Sequence, residues 1–193
     1  GRIRAIPIID TVPDIWVLTS SGESAYLAAH MGIALSYAQF INPIGGPEAM
    51  NIYRQRFKPS AQQAAPKTNV SVFGFCSESE EKAEQVQSVM DYRFLSFEKG
   101  RYDDIPSYDI ASQYKYGPDE WQRVLHNRQR MIIGTPDIVQ EKITKLADDF
   151  GVSEVMVATF AESREDRLHS YELLAKLFNL SPAVAAAPAT ALS

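Results

Sequence analysis

WVLTSSGESAYLAAHMGIALSYAQF, residues 16–40, is the stretch that decides the fold. Residues 16–18 are apolar at every position, which is typical of a parallel strand covered on both faces. Ser20 stands three positions before Glu23, the spacing of a helix capping box, and Gly32 suits a helix end. A second apolar segment follows the glycine. The stretch therefore predicts a strand, a helix and a second strand, which together form a βαβ unit.

The turn between the first strand and the helix is rich in hydroxyl groups, from Ser20, Ser21 and Ser24. The first N–H groups of a helix have no partner within the helix, and the positive end of the helix dipole lies beside them. A phosphate fits such a turn. Most helix N-termini nevertheless face only water, so two interpretations stay open, a phosphate site and an ordinary capped helix start.

The alternation of strands and helices continues along the chain. Strand patterns occur at residues 69–76 and 154–160, the latter apolar enough for a strand covered on both faces, and helices are predicted at 47–57, 77–95, 119–130, 137–150 and from Ser163 onward. The apolar residues expected to face inward are, on the helix from 77, Val86, Val89, Met90, Phe94 and Leu95 and, on the last helix, Leu168, Tyr171, Leu174, Leu177 and Phe178. Such alternation predicts an α/β fold with about four parallel strands and right-handed crossovers.

Residues 98–118 interrupt this alternation. Gly, Pro, Asp and four tyrosines replace the regular pattern there: Tyr102, Tyr108, Tyr114 and Tyr116. The segment is too long for an ordinary connection, so it is predicted to be a lid or a disordered excursion. Packing of these tyrosines on the surface is favoured over stacking on a ligand.

Composition excludes several classes of protein. A chain of 193 residues that is 45% hydrophobic suits one domain with a sizeable core. The net charge of −5 and a pI near 5.2 argue against nucleic-acid binding and against binding to acidic membranes. No apolar run approaches a membrane span, and the lone Cys76 suits a reducing compartment, so a soluble cytoplasmic protein is predicted. The three histidines lack metal-ligand spacing, so no metal site is expected.

Residues 16–40 and four later segments resemble segments that occur in the same order in luciferase-like flavin-dependent monooxygenases. The later segments are YRQRFKPS at 53–60, IGTP at 133–136, EVMV at 154–157 and RLHSYELL at 167–174. The resemblance implies the C-terminal half of a TIM (β/α)8 barrel, with strands five to eight within residues 1–180 and a disordered tail at 181–193.

The resemblance also implies a cofactor and a reaction. Reduced FMN and O2 would oxidise a small organic substrate, and a flavin reductase would supply the reduced FMN. Ser21 and Ser24 would donate hydrogen bonds to the flavin phosphate, while Ser20 would cap the helix. A deazaflavin presents a phosphate too, so the choice of cofactor stays open, and no catalytic residue is identified.

Two positions depart from the family pattern. Thr19 replaces the usual glycine before the serine pair, which brings a β-branched side chain toward the turn and would tighten access for the phosphate. Gln39 replaces a common histidine, which puts a proton-handling role there in doubt.

Enzymes of this family run to roughly twice this length, in keeping with the usual size of a barrel. The chain is therefore expected to be a fragment with little or no turnover by itself, and unpaired strand edges predict a homo-oligomer. Two alternatives stay open. One is a catalytically silent half-barrel that self-associates through its edges, and the other is a complete small α/β protein with an unrelated anion ligand at the same turn.

Overall fold

A computed structural model describes Ile6 and residues 13–101 and 106–181. Residues 1–14, which Pro7 and Pro13 predict to be an extended approach to the first strand, lie outside the described residues apart from Ile6 and 13–14. The tail predicted at 181–193 also lies outside them, apart from Ser181. The described elements, in chain order, are β1 Trp16–Thr19, α1 Gly22–Met31, β2 Ala34–Ala38, α2 Gly46–Arg56, β3 Thr68–Cys76, α3 Glu80–Glu98, α4 Tyr108–Gln113, α5 Pro118–Arg128, β4 Met131–Gly134, α6 Pro136–Phe150, β5 Val155–Ala158 and α7 Arg164–Leu177.

The strands form a sheet in the order β1-β2-β3-β4, and β5 also pairs with β3. The β1–β2 and β2–β3 pairs are parallel, with Trp16 opposite Ala34 and Ser36 opposite Asn69. The predicted α/β class with a parallel sheet is therefore confirmed. Among the described residues the sheet has five strands, one more than the expected four, and the additional strand is Met131–Gly134.

Contacts along the chain group the described residues into two compact units. The first unit contains β1, β2, α1, α2, β5 and the N-terminal half of β3. Its core is the side of the sheet that carries Leu35, Tyr37 and Val70. The buried face of α1 consists of alanines, which let this helix lie close to the sheet.

Tyr53 ties α2 to the connections of the first unit. The side chain is fully buried, and its hydroxyl donates to the Ile33 carbonyl at 2.9 Å while accepting from Gln63 Nε2 at 3.1 Å. Burial raises the pKa of Tyr53, so the phenol stays protonated over the physiological range.

We expect Tyr53→Phe to lower the free energy of unfolding by about 1–2 kcal/mol, because it leaves the Ile33 carbonyl without this donor. Urea denaturation followed by circular dichroism measures the change. Tyr26→Phe is the matched control, since Tyr26 lies half-exposed on α1 and should change stability little. Equal transition midpoints for the two variants would contradict the assigned role of Tyr53.

Two strands predicted to be covered on both faces are covered on only one. On β1 Val17 packs against the core, whereas Leu18 is 55% exposed. On β5 Val155 packs against the core, whereas Met156 is 54% exposed. The prediction is wrong for these strands because an apolar run alone does not specify how many faces meet a neighbour.

The second unit contains the C-terminal half of β3, most of β4 and the helices α3, α4, α5 and α7. Val86, Val89, Met90 and Leu95 are buried on α3, as predicted. On α7 the buried residues are Ser170, Leu173 and Leu174, so the expectation that Leu168 and Tyr171 face inward is wrong. Of the helices in the described part of the chain, none combines the length and the hydropathy needed to cross a membrane.

The segment at 98–118 holds the short helix α4 and an aromatic cluster. The Tyr114 ring meets those of Tyr92 and Tyr116, with centroid distances of 5.0 Å each, and Tyr116 meets Trp121 at 5.7 Å. These tyrosines therefore pack on neighbouring rings, as favoured from the sequence. Residues 102–105, including Tyr102, lie outside the described residues.

Candidate anion site at the start of α1

The turn between β1 and α1 is closed by the Thr19 hydroxyl. Thr19 Oγ1 accepts from the Ser21 N–H at 3.0 Å and donates to the Ser21 carbonyl at 3.1 Å. The helix consequently begins one residue later than predicted. Ser21 is the N-cap, with φ −143° and ψ 155°, and its side chain accepts from the Ser24 N–H. The assignment of Ser20 as the cap is therefore wrong, and the Ser20–Glu23 spacing is not a capping box.

Several donors at this turn have no strong partner. The N–H groups of Gly22 and Glu23 precede the first hydrogen bond within α1, and no described residue accepts from them. The hydroxyl of Ser20 makes no hydrogen bond to the described residues, and the Ser21 and Ser24 hydroxyl oxygens lie 3.5 Å apart, a long distance for a hydrogen bond. The turn thus presents hydroxyl and backbone donors together, next to the positive end of the α1 dipole.

The backbone of the turn is held from the following strand and loop. The Ser20 carbonyl accepts from Asn42 Nδ2 at 3.1 Å and from the Tyr37 hydroxyl at 3.5 Å, and Tyr37 also donates to the Ile44 carbonyl at 3.0 Å. Burial raises the pKa of Tyr37, which keeps this hydroxyl a donor. Sequence reasoning missed Tyr37 and Asn42, although a tyrosine and an asparagine at the end of an apolar strand are a recognisable signal.

The two departures from the family pattern have structural roles. Thr19 is buried, and its hydroxyl is used inside the turn, so it shapes the site without adding a donor to it. Gln39 is also buried, and its Nε2 donates to the carbonyls of Pro43 and Gln129, each at 3.2 Å. These bonds orient the amide toward the backbone, so Gln39 fixes a loop and carries no ionisable proton.

The other reactive side chains of the described residues form no catalytic cluster. His169 lies between two carboxylates, with Glu78 at 3.3 Å and Glu172 at 3.7 Å. Burial and the nearby Glu78 carboxylate raise the pKa of Cys76 to about 11, so this thiol stays protonated and is a poor nucleophile. Within the described ranges, no group of histidine, cysteine or carboxylate side chains could hold a metal ion.

A parallel sheet with helical crossovers and a donor-rich turn after one strand are the features of an α/β barrel protein that binds an anionic ligand at the carboxyl end of a strand. Comparison with known proteins matches the chain to part of such an α/β barrel fold. No family model matches the sequence. The uncharacterised protein YwcH of Bacillus subtilis (strain 168) is 42% identical over 178 residues, which cover 92% of this chain and 54% of YwcH.

The crystal structure of apo-MsnO8 superimposes with a TM-score of 0.82 at 34% identity, over 91% of this chain and 54% of MsnO8. A luciferase-like monooxygenase of Escherichia coli (strain K12) is 26% identical over 89% of this chain and 51% of its own length. The chain belongs to the luciferase-like monooxygenase family, and it spans about half the length of the curated relatives it matches. The resemblance seen in the sequence is thereby confirmed.

Two more distant structures share the fold. Riboflavin lyase RcaE, with a TM-score of 0.53 at 14% identity, was solved with modified FMN. A tetrahydromethanopterin reductase from Methanopyrus kandleri, with a TM-score of 0.50 at 17% identity, depends on coenzyme F420. Proteins with this fold therefore include one that was solved with modified FMN and one that depends on coenzyme F420.

Proposed function

We propose that the turn at residues 19–24 binds the phosphate of FMN, as part of a monooxygenase that uses reduced flavin and O2 to oxidise a small organic substrate. The observation that carries the proposal is the group of outward donors at the start of α1, in a chain of the luciferase-like monooxygenase family. A flavin reductase would supply the reduced cofactor.

The residues of the turn fit a phosphate group. The N–H groups of Gly22 and Glu23 would each bind one phosphate oxygen. The Ser21 hydroxyl accepts from the Ser24 N–H through a lone pair, and its own proton, which reaches Ser24 Oγ only over a long 3.5 Å, would turn to the ligand, as would that of Ser24. Reduced flavin, when bound, supplies the electrons that activate O2. This chain's contribution is to bind and orient the cofactor through its phosphate, and we expect little or no turnover from the 193-residue chain alone.

Comparing FMN with riboflavin tests the proposal, because the two flavins differ only in the phosphate. Titration of the chain, followed by flavin fluorescence, should show FMN binding at least about tenfold more tightly, the value of one charge-assisted hydrogen bond or more. Equal affinities would overturn the proposal. Displacement of FMN by a phosphorylated deazaflavin, titrated in the same way, decides between the two cofactor types.

Glu23 places a carboxylate in the first turn of α1, beside the proposed phosphate. We expect Glu23→Gln to tighten FMN binding by about two- to threefold at low salt, because an exposed like charge is removed, and to have less effect at high salt. Glu48→Gln is the matched control, since Glu48 lies in the first turn of α2 and the net charge changes equally. If both variants gained FMN affinity equally, the gain would come from the change in net charge and not from the position of Glu23 beside the phosphate.

A second candidate function rests on the exposed apolar side chains of β1 and β5. Leu18 and Met156 lie on strands whose second face is uncovered, and Ile15 just before β1 is exposed as well. Strands with an open edge and such exposed side chains favour self-association. In this case the chain would be a catalytically silent half-barrel that persists as a dimer or larger assembly.

Sedimentation velocity tests this second candidate. We expect a dimer or larger species at micromolar concentration, and Leu18→Lys should shift the distribution toward the monomer, because a charge on an edge strand opposes pairing. A stable monomer with a cooperative melting transition would contradict self-association.

A further inference from the structure

A groove in the second unit lies between α3 and residues 160–167 and is partly open to solvent. Its floor is apolar and consists of Val86, Val89, Met90 and Phe160. Pockets that bind small organic molecules typically have such a mainly apolar lining. The donor-rich turn at the start of α1 contributes no residue to this groove.

The rim of the groove carries more positive than negative charge. Three cationic side chains line it, Lys82, Arg93 and Arg167, against two carboxylates, Glu162 and Asp166. Lys82 Nζ lies 2.8 Å from the Asp166 carboxylate, so these two charges neutralise each other. Two guanidinium groups and one carboxylate remain, so the rim keeps a net positive charge.

The two arginines have no ionic partner among the described residues. The Arg93 guanidinium lies over the Phe160 ring, 5.0 Å from its centroid, at the apolar floor. Arg167 is exposed. The Glu162 carboxylate accepts from the Tyr108 N–H at 3.2 Å and is thereby engaged with the backbone. Two guanidinium groups beside an apolar floor are thus available to an anion that carries an apolar body.

We propose that this groove binds a small amphipathic carboxylate, an aryl- or alkyl-carboxylic acid. The apolar body would cover Val86, Val89 and Met90, and the carboxylate would bind Arg93 and Arg167. Guanidinium groups present paired donors that match the two oxygens of a carboxylate, and contact with the floor adds the free energy of apolar burial. A cationic ligand would be repelled by the net positive charge of the rim.

The experiment uses the full chain without flavin, so its result is independent of the proposed phosphate site. The probe is 3-phenylpropionate, and its neutral isostere 3-phenylpropanamide is the ligand control. Amide chemical shifts in ¹H–¹⁵N spectra, followed during titration, should change around α3 and the start of α7. We expect the amide to bind about tenfold more weakly than the acid, since the charge-assisted hydrogen bonds are lost.

Arg167→Gln should weaken 3-phenylpropionate binding by about tenfold, and Arg167→Lys, which keeps the charge but loses the paired donors, should give an intermediate affinity. The matched control is Arg164→Gln, an exposed arginine of the same helix that does not line the groove and removes the same charge. Equal binding of acid and amide to the unaltered chain would overturn the proposal without reference to any variant. Equal affinities of the Arg164→Gln and Arg167→Gln chains would overturn the role of Arg167 in the groove.

Discussion

Replacing both Ser21 and Ser24 with alanine is expected to weaken FMN binding by about 100-fold. Each hydroxyl would donate one hydrogen bond to a phosphate that carries charge, and such bonds contribute about 1.5 kcal/mol or more each. The backbone donors of Gly22 and Glu23 stay in place, so residual affinity should remain. Riboflavin binding should change little, because riboflavin carries no phosphate.

Ser21 is also the N-cap of α1, so its replacement costs helix stability as well, about 1 kcal/mol. Ser21→Asp separates the two effects. Aspartate is an equally good N-cap, but its carboxylate lies where the phosphate would bind, so stability should be kept and FMN binding lost. Ser112→Ala with Ser153→Ala, two exposed serines elsewhere, is the matched control for the double variant. Affinity that survives in both Ser21 variants would exclude this turn as the phosphate site.

The position of this turn could be predicted from the sequence, but the exact role of each hydroxyl could not. Thr19, Ser20 and Ser21 are consecutive hydroxyl residues, and any of them can cap a helix. The Thr19 side chain determines which residue becomes the N-cap. Its Oγ1 accepts a hydrogen bond from the Ser21 N–H, and this extends the turn by one residue. Such a bond depends on backbone geometry that spacing alone does not specify.

The class of fold was predictable because strand and helix patterns alternate along most of the chain. The strand at Met131–Gly134 was missed, since it is short and is followed directly by the Thr135–Pro136 helix start. Exposure of Leu18 and Met156 was not predictable either. Their sequence environment is that of a buried strand, and only the arrangement of neighbouring strands shows that one face is left open.

Removal of the Arg128 guanidinium is expected to cause a large loss of stability in the second unit. The side chain of Asp91 is only 3% exposed, and Arg128 binds it through Nε and Nη2, the latter at 2.7 Å. Arg128 also lies over the Trp121 ring, 5.2 Å from its centroid. Burial raises the pKa of Asp91, and the hydrogen bonds and charge of Arg128 oppose that rise.

Arg128→Met keeps much of the side-chain volume but leaves the Asp91 carboxylate buried without its cation. We expect the free energy of unfolding to fall by about 2 kcal/mol. This is less than the usual cost of breaking a fully buried ion pair, because Arg128 itself is partly exposed. Urea denaturation at pH 7 measures it. Arg123→Met on the same helix is the control, since it breaks the more exposed pair with Glu98 and should cost about 0.5 kcal/mol or less.

The pH dependence of this stability loss tests whether the unpaired Asp91 carboxylate causes it. In the variant the folded-state pKa of Asp91 rises further above its unfolded value of about 3.8. A group with a raised folded-state pKa binds its proton more readily in the folded chain, so the stability it contributes is present below the unfolded pKa and lost as the pH rises through the folded one. The difference between Arg128→Met and the unaltered chain should therefore shrink as the pH falls from 7 to below 4. A difference that stays constant over this range would show that lost packing on Trp121, and not an unpaired carboxylate, accounts for the effect.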